Sequence, residues 1–287
     1  MPWKNMSLLV FLLIIFSAFL HALWNFTTKQ LSGNLAVIYI SLWVASVACF
    51  PFLFFLSWSD IHLSSGYPYF LATGLTHAFY FFGLSKAYEY GDISTVYPIA
   101  RGLGVAGTAL LAYLLLREDI SVFGSLGIIS ICLGTIFIGF KLSYQAHHYK
   151  GLIMAVFVGL AIVAYSIIDK QAMKQLHPVA YIFSLFFFAA VFLTPYIIVK
   201  RRGELSKAWQ THWKSIFVIG IGSMTTYLII LFVFKLANVS YVVAARESAV
   251  VIGAFLGFKF LNEKYSFKKA SGISLIVLGL ILIKVAG

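Results

Sequence analysis

Apolar residues run along this chain in blocks of about twenty, separated by short polar punctuation, and that rhythm dominates every other pattern in it. Roughly 20 apolar residues are what an α-helix needs to cross the hydrocarbon core of a bilayer. Read with that window, the chain predicts ten membrane helices, over 7–27, 34–57, 68–87, 94–116, 122–140, 150–170, 178–199, 214–235, 240–261 and 267–285. No block is left over for a soluble domain. The two longest connections, KLSYQAHHYK (141–150) and KRRGELSKAWQTHWK (200–214), read as polar loops. The first block follows Lys4 as a signal peptide would, but it is long enough to span and no A-x-A cleavage pattern follows, so it is expected to stay as the first membrane helix.

Composition agrees with the rhythm. The chain is 61% apolar and 10% charged, against about 45–50% and about 25% in soluble domains. A formal net charge of +12 raises nucleic acid as a partner, but the basic residues are scattered through short connections, densest at KRRGELSK (200–207) and KFLNEKYSFKK (259–269). Anionic lipid facing those connections accounts for them, and no nucleic-acid role is expected. Cys49 and Cys132 lie in separate apolar blocks without metal-ligand spacing and read as small core residues. No cofactor or metal is implied.

The two halves repeat. Arg101, Glu118, Ser121, Gly127 and Gly134 map onto Arg246, Glu263, Ser266, Gly272 and Gly279 at a constant shift of 145 residues. FPF around Pro51 matches TPY around Pro195, and Lys29 matches Lys170, at slightly smaller shifts. The expected units are 1–145 and 146–287. Five spans is an odd number, so the second unit must enter the membrane inverted, and inverted repeats place a site between them near the midplane. Glycines seven apart put one smooth face on the fifth and tenth spans, which carry few polar side chains. Those two are expected outside, as scaffold or as the contact of a homodimer if the chain is not a monomer.

Polar residues fall in stripes on the other spans. Ser17, His21, Trp24, Asn25 and Thr28 follow helical spacing in the first, and Thr73, Thr76, His77 and Tyr80 in the third. The fourth carries Ser94, Tyr97, Pro98, Arg101 and Thr108, and the sixth Tyr165, Ser166 and Asp169. Ser223, Thr225, Thr226 and Tyr227 lie in the eighth, and Ser240, Arg246 and Glu247 in the ninth. Any one of these hydroxyls can be interhelical glue. Stripes on six helices together imply a shared interior.

The arginines are the sharpest signal. A charged side chain at the bilayer centre costs about 2.5–3.5 kcal/mol on insertion scales, so Arg101 and Arg246 must face protein or a wet cavity. Each lies on the order of 10 Å along its helix from its own entry surface, at 1.5 Å per residue. With inverted halves the two guanidinium groups bracket the midplane. Two pairings stay open: Arg246 with Asp169, and Arg101 with Glu247 across the halves. Arg101, Arg246 and Glu247 together leave one positive charge in the interior, which an anionic or carboxylate-bearing solute, or a change of bound proton at Glu247, balances. Candidate ligand contacts are Arg101, Arg246, Glu247, Trp24, Asn25, His21, His77, Tyr80, Tyr97, Tyr165 and Tyr227; Glu247 and Asp169 are the candidate proton carriers. Pro98 is expected to kink the fourth span, and Pro51 and Pro195 the second and seventh.

LLLREDIS (114–121) and KFLNEKYS (259–266), with HALWN (21–25), GDISTVYPIARG (91–102) and ARESAVV (245–251), resemble the EamA-type branch of the drug/metabolite transporter superfamily over essentially the whole chain. The resemblance implies spans one to four and six to nine arranged as a basket round a central cavity, with five and ten outside. The family's pattern has Gly before Glu where this chain has Arg117 and Asn262, a departure that bears on loop packing. The family implies cytoplasmic termini. Yet with that orientation only Lys4, Arg117, Lys170, Lys174, Lys235 and Lys284 fall on the inner side, and the positive-inside rule favours the reverse.

The expected function is a secondary transporter of a small polar metabolite in a bacterial cytoplasmic membrane, with Arg101 and Arg246 as anchors used in alternation. A flippase for a lipid phosphate uses the same arginines. An intramembrane enzyme is less expected, because the chain has no HExxH, no Asp-rich metal motif and no Ser or Cys with its base, and a purely structural role is less expected still. With no Walker A, the transport is expected to run on a proton or substrate gradient or uncoupled.

Overall fold

A computed structural model describes residues 6–57, 63–90, 93–139, 146–260 and 266–286. All regular structure among them is helical: α1 (Leu8–Gln30), α2 (Leu35–Cys49) with a 3₁₀ continuation (Phe50–Phe55), α3 (Leu63–Tyr90), α4 (Ile93–Leu116), α5 (Val122–Gly139), α6 (Ala146–Ala172), α7 (Pro178–Lys200), α8 (Arg202–Phe234), α9 (Val239–Ala245), α10 (Ser248–Phe260) and α11 (Phe267–Ala286). Turn chemistry sets the boundaries. Ser32 and Gly33 take positive φ after α1, and Asn34 Oδ1 then accepts from the Ala36 and Val37 amides at 3.0 and 3.2 Å to start α2.

Seven of these helices are long and apolar enough to cross a membrane. The other three expected spans fall short for separate reasons. α3 is long, but its polar stripe and the Lys86–Glu89 pair dilute its hydropathy. α5 is a shorter apolar helix. The ninth span is broken: α9 stops at Ala245, and Arg246 and Glu247 form a turn before α10.

One local expectation needs correction. Residues 202–211 are helical, forming the start of α8 up to a non-helical residue at His212; apart from Gly203 they contain no breaker, and Leu205 and Ala208 pack inward. Of the prolines expected to kink spans, Pro98 lies inside α4 and Pro195 inside α7, and Pro51 lies in the 3₁₀ stretch that ends the second span.

Packing pairs elements across the halves. α1 packs on α8 as α6 packs on α3, and α2 on α8 as α7 on α3. α5 and α11 lie face to face through their glycines. A Cβ on Gly127 would stand 2.9 Å from the Gly279 carbonyl oxygen and as close to Ile283; one on Gly272 would meet Gly134 O and Ile138. Gly134 against Ile276 has its counterpart in Gly279 against Ile131. Every contact thus recurs with the halves exchanged. Ser130 Oγ donates to Leu275 O at 2.7 Å between them. The glycine faces are therefore used within the chain, while Leu126, Ile129, Leu133, Leu278 and Ile281 point outward.

Two polar clamps, the first of them buried, hold the connections. The Glu118 carboxylate accepts from Val239 N at 2.7 Å, Ser240 N at 3.2 Å and Ser240 Oγ at 2.8 Å, capping the start of α9. Lys170 Nζ donates to the Phe234 and Ala237 carbonyls at 2.5 and 2.6 Å, closing the end of α8. Arg117, beside Glu118, sits at φ +53°, in the left-handed region that favours glycine.

Candidate functional site

The polar stripes of α1, α3, α6 and α8 converge with the broken ninth span on one cavity. It is lined by His21 and Trp24 of α1, His77, Tyr80 and Phe81 of α3, Tyr165 of α6, Leu185 and Phe186 of α7, Ser223, Thr226 and Tyr227 of α8, and Arg246. Its position follows from sequence: apolar faces of these helices pack outward and against one another, so the stripes have nowhere else to turn.

Local backbone at the break decides where the charges point. Arg246 N still bonds Val242 O at 3.0 Å, as in an α-helix, but Glu247 N reaches Ala244 O at 3.0 Å and Val250 N reaches Glu247 O at 2.8 Å, an i→i−3 pattern. Arg246 and Glu247 consequently diverge. Glu247 is fully buried and forms an ion pair with Arg101 of α4, itself 4% exposed. Arg246 lines the cavity with its guanidinium 5.4 Å from the Tyr227 ring centre.

Asp169 is fully buried and held by three hydroxyls from three other helices. Thr73 Oγ1 donates at 2.8 Å and Tyr181 O–H at 2.6 Å, both to Oδ1, and Tyr227 O–H donates to Oδ2. Tyr227 thus lies between Asp169 and Arg246, so the expected direct pairing of those two is replaced by one through the phenol. With Asp169 counted, the interior holds two arginines and two acids, and the surplus charge expected from Arg101, Arg246 and Glu247 alone does not arise. The four groups are not equally satisfied. Both acids have protein partners; Arg246 has neither an ion pair nor a hydrogen bond among the described residues, and is 5% exposed.

Aromatic rings form the rest of the wall. His77 stacks on Tyr165 at 4.3 Å and 26° and meets Tyr227 edge-on at 5.3 Å. Tyr80 and Tyr165 meet edge-on at 5.7 Å. His77 Nδ1 lies 2.9 Å from the Thr73 carbonyl, which can only accept, so Nδ1 carries the hydrogen and Nε2 is the acceptor. His21 and Trp24 are perpendicular at 4.8 Å.

Of the residues singled out from sequence, Arg246, Trp24, His21, His77, Tyr80, Tyr165 and Tyr227 meet at this cavity. Arg101, Glu247 and Asp169 are buried but engaged by protein groups and do not line it. Asn25 is half-buried and off the lining, and the side chain of Tyr97 lies outside the described residues. Several stripe hydroxyls turn out to be glue: Ser17 Oγ donates to Thr226 O at 3.0 Å, and Thr28 and Thr76 bond back to carbonyls of their own helices. Phe81, Leu185, Phe186 and Tyr181 were not expected. The α7 residues sit in an apolar run without a polar stripe, so their role leaves no signal in the pattern.

Comparison with known proteins agrees with this architecture. The model of the EamA-like transporter family matches residues 8–140 and again 149–285. A solved crystal structure, described only as that of a protein, superposes with a TM-score of 0.72 at 16% identity, covering 96% of this chain and 94% of the other. At that identity the likeness concerns the fold. No curated protein matches the chain.

Proposed function

The chain belongs to the EamA-like transporter family, within the drug/metabolite transporter superfamily, and from that premise we propose that it carries a small anionic or zwitterionic metabolite across a bacterial cytoplasmic membrane, with Arg246 as the anchor. It is an integral membrane protein of the transporter type. Ten spans in two inverted five-helix units, 1–145 and 146–287, alternate access to the cavity between them. The reciprocal glycine contacts of α5 and α11, and the exchange-symmetric pairing of α1 with α8 and α6 with α3, support the inversion.

One observation carries the substrate class: among the described residues Arg246 is a buried cation facing the cavity without a direct ion-pair partner, meeting Asp169 only through the Tyr227 phenol, while the buried acids Asp169, Glu118 and Glu247 all have direct partners. A buried charge is stable only when paired, so the missing partner is assigned to the cargo. The proposed inversion explains why it is missing. The repeat maps Arg101 onto Arg246 and Glu247 onto Gly102, so the Arg101–Glu247 pair has no counterpart for Arg246. Arg101 acts in this reading through Glu247, holding the break in shape, and touches the cargo only if that pair opens.

The test is thermal stabilisation of the purified chain by a panel of carboxylates, phosphates, phosphonates, amino acids and organic cations, because a ligand that binds only the folded state raises its stability by mass action. Acids or zwitterions should stabilise the wild type, and Arg246→Gln should erase the shift. Stabilisation by cations alone overturns the reading.

A further inference from the structure

Beyond its anchor, the cavity carries a second set of unsatisfied groups. Among the described residues, Trp24 Nε1, both ring nitrogens of His21 and the Thr226 hydroxyl are buried without a hydrogen-bond partner. All three side chains line the same cavity as Arg246. Trp24 is 5%, His21 4% and Thr226 1% exposed. Their neighbours are occupied: Ser223 Oγ donates to Gly220 O, Ser17 Oγ to Thr226 O, and Tyr227 to Asp169. Buried polar groups in folded proteins nearly always have partners, so three that lack them at one place call for a ligand or water there.

These groups are also held still. The Trp24 indole packs in a cluster with Ala36, Val37, Ala208, Ile216 and Ile219. Gly222 of α8 lets the two helices close on it, since a Cβ there would stand 3.0 Å from Trp24 Cβ. Its edge contact with His21 fixes the second ring. A rigid donor aimed into a cavity recognises its partner without reorganising.

We propose that this group is a second recognition pole, which takes an oxygen of the cargo distinct from its acid group. The inference rests on the anion-carrier reading above. An indole N–H only donates, so its partner must be an acceptor, and an ammonium or alkyl group leaves it unsatisfied. Neutral imidazole and the Thr226 hydroxyl both give and take, which suits a hydroxyl or an oxo group equally. The cargo class is therefore a compact oxyanion with a second oxygen: a hydroxy acid, an oxo acid or their phosphonate equivalents. The aromatic wall of His77, Tyr80 and Tyr165 covers its carbon atoms.

The experiment is calorimetry on the full-length protein in detergent with matched acids of two to four carbons: acetate against glycolate, propionate against lactate, pyruvate and 3-hydroxypropionate, butyrate against 4-hydroxybutyrate. At least one oxygenated acid should bind about tenfold or more tightly than its plain partner, roughly 1.4 kcal/mol. Trp24→Phe should bring the two members of that pair to within about twofold of each other, and Thr226→Val should narrow the gap. Equal binding of both members by the wild type, as when water serves these groups, overturns the second pole and leaves the anchor standing. So does a preference that survives both substitutions. If no acid binds the wild type, the anion-carrier reading itself fails and the second pole falls with it.

Discussion

Glu247→Gln is the most informative single perturbation, because it removes the counter-charge of Arg101 and nothing else of comparable size. Arg101 is 4% exposed and Glu247 fully buried, so water cannot replace the lost partner. Breaking one side of a buried ion pair destabilises by about 3–5 kcal/mol, whereas replacing the pair with neutral groups of similar volume is often close to neutral. Glu247→Gln and Arg101→Met should therefore each cost about 3 kcal/mol or more, and the double variant should be more stable than either single one. Non-additivity of at least about 2 kcal/mol is the signature of direct coupling. Reversible unfolding in mixed micelles measures all four corners of the cycle. If the double variant is as unstable as the two singles added together, the two groups do not neutralise each other. The account of Arg246 as the sole buried charge left for the cargo then loses its foundation.

Three further outcomes follow from packing. Gly134→Val should destabilise by about 1–3 kcal/mol in the same assay, because even its Cβ collides with the α11 backbone at Gly272, while Gly203→Ala, which meets nothing within 4 Å, should be nearly silent. Glu118→Ala removes the acceptor for Val239 N, Ser240 N and Ser240 Oγ and should cost about 1–3 kcal/mol, visible also as faster amide exchange at the start of α9. Arg117→Gly relieves the left-handed φ of +53° and should stabilise by about 1 kcal/mol.

Most of the fold was legible because lipid imposes a single strong rule: apolar faces outward, polar stripes inward. The block rhythm locates α1, α2, α4, α6, α7, α8 and α11, and the stripes name most of the cavity lining. The pattern failed where backbone geometry departs from the ideal helix. Val239–Phe260 reads as one apolar segment, and nothing in its spacing announces a turn at Arg246. The start of α8 reads as a loop because Arg202–Thr211 is polar, although its residues form helix readily and bury Ala208. Tyr181 was missed for another reason. Its hydroxyl matters only because α7 brings it to Asp169, a tertiary fact without local trace. Arg117 takes its left-handed φ where the family's pattern has glycine, a departure whose sequence reading reaches only as far as loop packing.

The departure from symmetry carries more than the symmetry does. In the proposed inversion the two arginines are equivalent, and a fully symmetric site would give each an acid or neither. Two acids, each in a direct ion pair, would leave an interior satisfied in every state, with nothing to gain from a cargo; none would bury two bare cations, at about 2.5–3.5 kcal/mol each on insertion scales. One direct pair neutralises Arg101 and leaves Arg246, which meets Asp169 only through Tyr227, poised. The pair that results also ties α4 of the first unit to the break between α9 and α10 of the second. Separating them costs several kcal/mol, more than a population shift of a hundredfold. Rocking of one unit against the other therefore has to carry α4 and the break together, with Arg246 and the aromatic wall moving relative to one another. Cross-linking α4 to α9 with a short bridge at their contact should then leave transport intact, while a bridge from α8 to α3 across the cavity should stop it. Loss of transport with the first bridge would mean that the ion pair opens in every cycle, and that Arg101 meets the cargo directly.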